Sequence, residues 1–485
     1  MPHSSTTTSQ PDLSRPVLVW LRRDLRLTDN PALAAAAQTG RPVIPIFLRD
    51  DLFDALGAAP KWRFGLGLEH FQNSLQRIGS GLILRSGPAL ETLQQLVQET
   101  GAEALYWNRS FEPEGIARDT TIKSHFAAQG LDVKSFAGNL LAEPWTLTTK
   151  AGGHFRVYSP FWRALAAQEV APAMPAPDRL PAPDSWPRSE ALADWQLGKA
   201  MQRGASVVAP HLLLGEAAAQ AQLDRFLAGA LQDYAEGRDF PARQVTSGLS
   251  EPLAYGEISA RQIWHVTRVT VAGQATMTRA AEKFLKELAW RDFAWHLSYH
   301  DPHIQTRAWR HEWEAFPWDT VADHPHLQAW QQGRTGVDLI DAGLRELYVT
   351  GKMHNRVRMI AASYLTKHLR LHWRLGQQWF ADTLVDWDPA SNAMGWQWVA
   401  GCGPDAAPYF RVFNPETQQK KFDAQARYTR RWLAADSGFA EATPRAWKVT
   451  ETPRPLTPIV GLAEGRAAAL AAMERFKTRD LGTVD

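Results

Sequence analysis

The sequence predicts an α/β N-terminal domain with a parallel, Rossmann-like sheet, followed by an all-α C-terminal domain. Three observations carry this. Short apolar runs alternate with helical patterns in the first third of the chain, a proline-rich stretch interrupts it, and helical periodicity fills most of the remainder. The resulting division is a tail at residues 1–15, the α/β domain at 16–145, a linker at 146–200 and the helical domain at 201–485.

The first apolar run, Pro16 to Leu21 (PVLVWL), reads as a buried strand. Asn30 and Pro31 then supply the cap and first-turn proline of an alanine-rich helix. PVIPIFL, a helix, LILR, a helix and ALYWN continue the rhythm, and a parallel sheet covered by helices is its economical solution. A ligand crevice is expected at the carboxyl ends of such strands. RRDLRLTDN follows the first strand where a dinucleotide fold would carry a glycine-rich turn, which argues against NAD. Six prolines between Val170 and Ser189 favour extended chain over packed structure. Beyond them HLLLGEAAAQAQLDRFLAGAL, AAEKFLKELAWRDFAWHLSYH and VDLIDAGLRELYVTG read as helices, the last with Gly351 as its C-cap.

With 485 residues and 45% hydrophobic content the chain can bury sizeable cores. Its single cysteine, Cys402, excludes an internal disulfide or a thiolate metal cluster and fits a reducing, cytoplasmic setting. The Ser- and Thr-rich start lacks the pattern of a signal peptide, and no apolar run is long enough to span a bilayer. A net charge of +2 says little about nucleic acid, but its distribution says more. Gln331 to Arg374 holds eight basic against three acidic residues, and Arg411 to Arg431 six against two. Alone these would be ordinary solvated helix faces; the aromatics interleaved with them favour phosphate and base contact.

The chemistry concentrates in a few places. Glu287, Trp290, Arg291 and Ala294 fall at helical spacings, so a carboxylate, an indole and a guanidinium share one side of a helix. In MHNRVRM, Asn355 and Met359 lie on one face, with Arg356 and Arg358 expected elsewhere, so that one helix could serve two clients. TSGLSEPLAYGEIS (Thr246 to Ser259) offers hydroxyls and free amides ahead of a helix, an anion cradle if it is more than an ordinary N-cap. Asp386 and Asp388 flank Trp387 and could bind a metal, act as an acid–base pair or anchor polar ring edges. No histidine-based spacing accompanies them, so metal is set aside. Trp318, Trp373 and Trp396, among 21 tryptophans, could form an electron-hopping relay, although each taken singly reads as core.

RRDLRLTDNPAL, TSxLS with LxxGxxS, ELxWRxF, LQAWQQGRTG, MHNRxRM and DxDxxxNxxxWQWxAGxGxDAAPYFRxFNP run in order from about Val17 to Phe422. Together they resemble the DNA photolyase and cryptochrome superfamily, with greatest likeness to photolyases that repair cyclobutane pyrimidine dimers in double-stranded DNA. The resemblance implies a photolyase-type fold with a helical FAD-binding domain. It implies FAD bound non-covalently and used fully reduced, at Tyr234, Thr246, Ser247, Gly248, Leu249, Ser250, Phe284, Glu287, Arg291, Arg358, Asp386, Asp388 and Asn392. Asn392 would face flavin N5, and Arg358, paired with Asp386, would favour the anionic ring. Trp373, Trp396 and Trp318 match the family's electron chain.

By the same likeness Arg238, Glu287, Trp290, Asn355, Arg356, Met359 and Trp398 form the lesion pocket. Base flipping is a known property of photolyases. Trp290 and Trp398 would stack on the extruded dimer, and Glu287, when protonated or transferring a proton, would bond its carbonyl side, with Met359 and Asn392 completing the catalytic set. Enzymes for 6-4 lesions place histidines at the positions of Asn355 and Met359, and single-strand-specific relatives replace the WQW of Trp396, Gln397 and Trp398 with a Tyr-containing version. Both departures favour dimers in duplex DNA. A blue-light-sensing cryptochrome without repair activity is the alternative, although only about fifty residues follow Arg431. The family also implies an antenna. Glu114-Gly115 stands where folate-binding members carry Asn-Glu, closer to deazaflavin-binding relatives, and folate, deazaflavin or no antenna all stay open. LSEPLAYG departs from the common LSPYL by placing Glu251 and Pro252 near the cofactor entry. A monomer requiring no protein partner is expected.

Overall fold

The computed structural model describes residues 14–202, 204–406, 410–434 and 454–480. Most of the expected tail, residues 407–409 of the DAAPYFR motif and much of the segment after Arg431 lie outside them. Five parallel strands, β1 (Val17–Leu21), β2 (Val43–Arg49), β3 (Ile83–Ser86), β4 (Ala104–Asn108) and β5 (Asp132–Phe136), are ordered β3-β2-β1-β4-β5. β1 runs in register with β2 from Val17 opposite Val43 and with β4 from Val17 opposite Ala104. Alternate residues of β1 feed two cores. Val17, Val19 and Leu21 meet α1 (Pro31–Gln38) and α2 (Ala58–Arg77), while Leu18 and Trp20 meet α3 (Ala89–Thr100) and α4 (Pro113–Ala128). Asn30 caps α1 as expected, its side chain accepting the Leu33 N–H at 3.2 Å. β5 lacks a run of apolar residues because it is a half-exposed edge strand, which is why sequence pattern missed it.

Residues 170–189 hold neither helix nor strand, yet they lie along the sheet. Val43 N–H donates to the Pro181 carbonyl at 2.8 Å, and Leu84 N–H to Ser189 Oγ at 3.0 Å. The segment expected as linker also contains α5 (Tyr158–Ala167), whose Phe161 and Leu165 belong to a core of the helical part.

That part is built from α6 (Ser250–Tyr255), α7 (Ala275–His300), α8 (Asp338–Thr350), α9 (Asn355–Ser363), α10 (Trp373–Thr383), α11 (Pro389–Ala400) and α12 (Leu462–Asp480), with shorter elements between. Gly351, at φ +69°, closes α8. Ala472 and Phe476 of α12 pack into the main helical core, Phe476 against Trp313 and Phe316. The helix expected from His211 starts only at Glu216 and passes through a π turn at Phe226–Ala230. The reason is tertiary. The Leu213 backbone is engaged at both ends, its carbonyl accepting from Arg63 Nη2 at 2.5 Å and its N–H donating to Glu251 Oε1 at 3.1 Å.

Those contacts belong to a buried charge network that joins the two parts. Arg63 of α2 pairs with Glu251 (2.5 Å) and Glu257 (2.6 Å), and Lys352 pairs with Glu251 (2.5 Å). Arg63 and Glu251 have fully buried side chains. Glu251 therefore departs from the family pattern as the shared anion of an interdomain clamp. Nearby, Gly256 touches the Arg23 carbonyl so closely that a Cβ would lie 2.1 Å from it, and φ is +67°. Arg26, wholly buried, donates to the carbonyls of Gly256, Asp29 and Gly138. The RRDLRLTDN stretch thus serves as a plug between the domains.

Candidate functional site

Helices α6, α7, α9, α10 and α11 enclose a cavity of about 330 Å³. Leu253, Ile263, Leu288, Phe380, Leu384, Trp387, Trp396 and Val399 give it apolar walls. It shares Tyr234, Ser247, Ser250, Glu287, Asn355, Arg358 and Asp386 with a second, polar cavity of about 990 Å³. The second adds Arg225, Arg238, Arg243, Lys352 and Arg427. One end suits a planar ring and the other a phosphate-bearing chain.

Every residue matched to flavin binding lines one cavity or both: Tyr234, Thr246, Ser247, Gly248, Leu249, Ser250, Phe284, Glu287, Arg291, Arg358, Asp386, Asp388 and Asn392. Asp386 accepts both bonds from Arg358 Nη2 (2.8 and 2.9 Å) and one from the Ser250 hydroxyl (2.7 Å). Asp388 caps α11 through the Ser391 N–H at 2.8 Å and accepts from Trp295 Nε1 at 2.9 Å. Of the uses left open for this pair, anchoring is the one these bonds support. Asn392 donates its amide to the Gln377 carbonyl at 3.0 Å, which fixes that side chain against the cavity. Arg291 Nε, Trp387 Nε1 and Trp396 Nε1 are buried donors of cavity residues with no hydrogen-bond partner among the described residues. A two-ended, anionic, ring-bearing group such as FAD fits this lining, the ring in the apolar end and the diphosphate near Thr246 to Ser250 and the arginines.

The lesion residues divide. Arg238, Glu287, Asn355 and Met359 line the cavities, with Asn355 exposed at their mouth. Arg238 pairs with Glu287, and Lys283 reaches the same carboxylate at 3.0 Å. Arg358 joins Asn355 and Met359 on one face of α9, contrary to the expectation that it points elsewhere, because positions three and four apart are neighbours on a helix. Arg356 lies apart, paired with Asp239 at 2.8 Å and over the Phe422 ring. Trp290 and Trp398 are half-buried outside the cavity linings. Trp290 stacks on Tyr158, and Trp398 donates Nε1 to the Asp405 carbonyl at 3.0 Å.

Of the three relay candidates, Trp396 lines the apolar cavity and packs on Gly376, where a Cβ would meet its ring at 2.0 Å. Trp373 is fully buried one turn before Gly376 on α10. The His372 ring lies between Trp318 and Trp373, with centroids 5.2 and 5.5 Å away. Gly376 was not singled out from sequence, because one glycine inside a helix carries no signal for the indole it accommodates.

Trp387, flanked by the two aspartates but given no role in the sequence reading, walls both the apolar cavity and a third one of about 340 Å³. This third cavity opens at the carboxyl ends of β1, β2 and β4, as the topology predicts, lined by Trp20, Phe47, Phe53, Ser110, Glu114, Gly115 and Arg118.

His354 was also missed. Its Nδ1 accepts the Arg356 N–H at 3.2 Å and so caps α9. Burial and the neighbouring Arg358, Arg238 and Arg356 bring its pKa down to about 4, against a raising effect of Asp239. A histidine depressed in the fold contributes stability above its unfolded pKa, and that contribution fades as pH falls from about 6.5 to about 4. His296, His368 and His372 act in the same direction. H354N, whose amide oxygen can cap without titrating, is expected to lose less stability than the wild type over that window in thermal melts; parallel pH curves would contradict this.

A Rossmann-like sheet with an aromatic crevice, set against a helical domain holding a ring-and-phosphate cavity, defines a two-domain protein for nucleotide-type cofactors. Residues 17–182 match the family described as DNA photolyase, and residues 284–475 the FAD binding domain of DNA photolyase. The chain belongs to the DNA photolyase family and binds FAD in its helical domain. It is 44% identical to the deoxyribodipyrimidine photo-lyase of Agrobacterium fabrum over 96% of each chain. It is 34% identical to Cryptochrome-1 of Arabidopsis thaliana, over 95% of this chain and 70% of that one. A solved bacterial class III photolyase from Agrobacterium tumefaciens superimposes with a TM-score of 0.89 at 42% identity, covering 98% of this chain and all of that one. The archaeal photolyase of Sulfolobus tokodaii, solved with two FAD molecules, gives 0.77 at 27% identity, covering 95% and 100%. Among the described residues no helix is long and apolar enough to cross a membrane.

Proposed function

We propose that this protein repairs cyclobutane pyrimidine dimers in double-stranded DNA, using light and reduced FAD. The observation that carries the reading is that Glu287, Asn355 and Met359 line the same cavity as Arg358, Asp386 and Asn392. Residues assigned to the lesion and residues assigned to the ring share one wall.

When bound, reduced FAD supplies, on absorbing light, one electron that opens the cyclobutane ring and is then returned. The protein's residues prepare that event. Arg358, held by Asp386, places a positive charge where the ring's negative charge is favoured. Glu287, placed by Arg238 and Lys283, faces the carbonyl side of the flipped bases, and it bonds a carbonyl oxygen there when it is protonated or transfers a proton. Trp290 and Trp398 offer indole faces, each worth about 1–3 kcal/mol of base stacking. Trp318, Trp373 and Trp396 carry electrons inward to keep the flavin reduced. The third cavity would hold a second chromophore, folate or deazaflavin, and Trp387 forms the wall that it shares with the apolar cavity. The protein works as a monomer in the cytoplasm.

The test is to irradiate reduced holoprotein with a thymine-dimer duplex under near-ultraviolet or blue light and count intact thymines. No increase over the dark control would remove the repair reading and leave the sensory one. W290A is expected to weaken binding of the dimer duplex about tenfold while retaining flavin, as the loss of one stacked face predicts. Flavin loss in that variant would mean that this indole belongs to the cofactor.

A further inference from the structure

Trp290 is held from behind. The Tyr158 ring lies flat on its indole, with centroids 3.6 Å apart and planes 8° from parallel. The Tyr158 hydroxyl donates to the Lys286 carbonyl at 2.5 Å, one turn earlier on α7. Phe293 meets both rings edge-on, each at 5.7 Å. Tyr158 is itself buried and is the first residue of α5. Elsewhere in the chain, the Asp405 carbonyl accepts Trp398 Nε1 at 3.0 Å. Asp405 makes this turn at φ +53°, a backbone region sparsely used by residues other than glycine. The Trp290 indole is thus backed by Tyr158 and braced by Phe293, while Trp398 is held separately at Asp405.

We propose that Tyr158 is a positioning residue for the damaged base pair. It fixes the plane of the Trp290 indole, so that this face stands ready for the fused pyrimidine pair. This rests on the reading of Trp290 and Trp398 as lesion-stacking residues. A free indole loses side-chain freedom when a base stacks on it, whereas one already clamped between Tyr158 and α7 has lost that freedom in advance. The clamp uses both parts of tyrosine, since the ring gives the stack and the hydroxyl sets its register on α7.

The test is dark binding of a fluorescent thymine-dimer duplex to flavin-loaded, full-length variants. Y158L is expected to weaken binding about fivefold, the range of a lost aromatic pair, with flavin content unchanged, and Y158F to stay within about twofold because the ring is kept. In the W290A background Y158L should cost nothing further, since the residue it positions is gone. Equal losses with and without Trp290, or wild-type affinity in Y158L, would overturn the proposal. If W290A alone leaves binding unchanged, the fault lies in the reading of Trp290 as a lesion face, a distinct result. Should Y158L lose flavin or fail to fold, Y158M carries the same test; failure of both would make Tyr158 a stability residue and sink the proposal.

Discussion

Asp386→Ala is expected to empty the flavin cavity. The Asp386 side chain is 4% exposed and satisfies Arg358 with two bonds and Ser250 with a third. Removing it leaves a largely buried guanidinium without its counter-charge, a change that typically costs about 3–5 kcal/mol. Part of that cost falls on the bound state, because Arg358 and Ser250 both line the cavity and would turn toward the gap. The flavin-to-protein absorbance ratio of purified protein should fall at least about tenfold, the effect of roughly 1.4 kcal/mol of lost affinity. Asp386→Asn, which keeps one acceptor but not the charge, should fall between. Full flavin content in the alanine variant would show that the Arg358 pair has no part in holding the cofactor.

The second large effect is expected at Glu251, which lies away from the ring. Arg63, Glu251, Glu257 and Lys352 balance two cations against two anions in the interior, and Glu251 is shared by both cations. Glu251→Ala should destabilise the protein by about 3–5 kcal/mol, the cost of an orphaned buried charge. Urea unfolding monitored by tryptophan fluorescence reads this directly. Because Lys352 is the partner left over, adding Lys352→Met to Glu251→Gln should recover much of the loss, a coupling that separate sites would not show. A loss below about 1 kcal/mol in the alanine variant would mean that the network contributes little, as exposed pairs do.

Strands β1, β2, β3 and β4 were legible because each is an apolar run bounded by turn residues, and buried strands differ from their surroundings in that way. β5 was not, since an edge strand alternating exposed and half-buried residues has no such contrast. The helix expected from His211 illustrates the opposite error, where good local periodicity is overruled by Arg63 and Glu251 competing for the Leu213 backbone. Among site residues, Asp386, Asn392 and Arg358 could be found because side chains that touch a ring keep fixed spacings within one motif. His354, Gly376 and Tyr158 could not. His354 caps the adjacent helix with a ring that is not among the usual capping side chains, whereas Gly376 and Tyr158 act on residues distant in the chain, through a space for an indole or a stacked ring, and leave no local pattern.

The sequence by itself determined the two-part architecture, the family, and the residues that gather around one cavity, because periodicity and motif spacing record what neighbours along the chain do together. Tertiary structure alone decided that Glu251 is an interdomain anion, that Trp387 separates two cavities, and that Trp290 is backed by Tyr158. These depend on contacts between segments a hundred or more residues apart. Their free energy comes from burial and charge pairing in the folded state and has no counterpart in local chain preference.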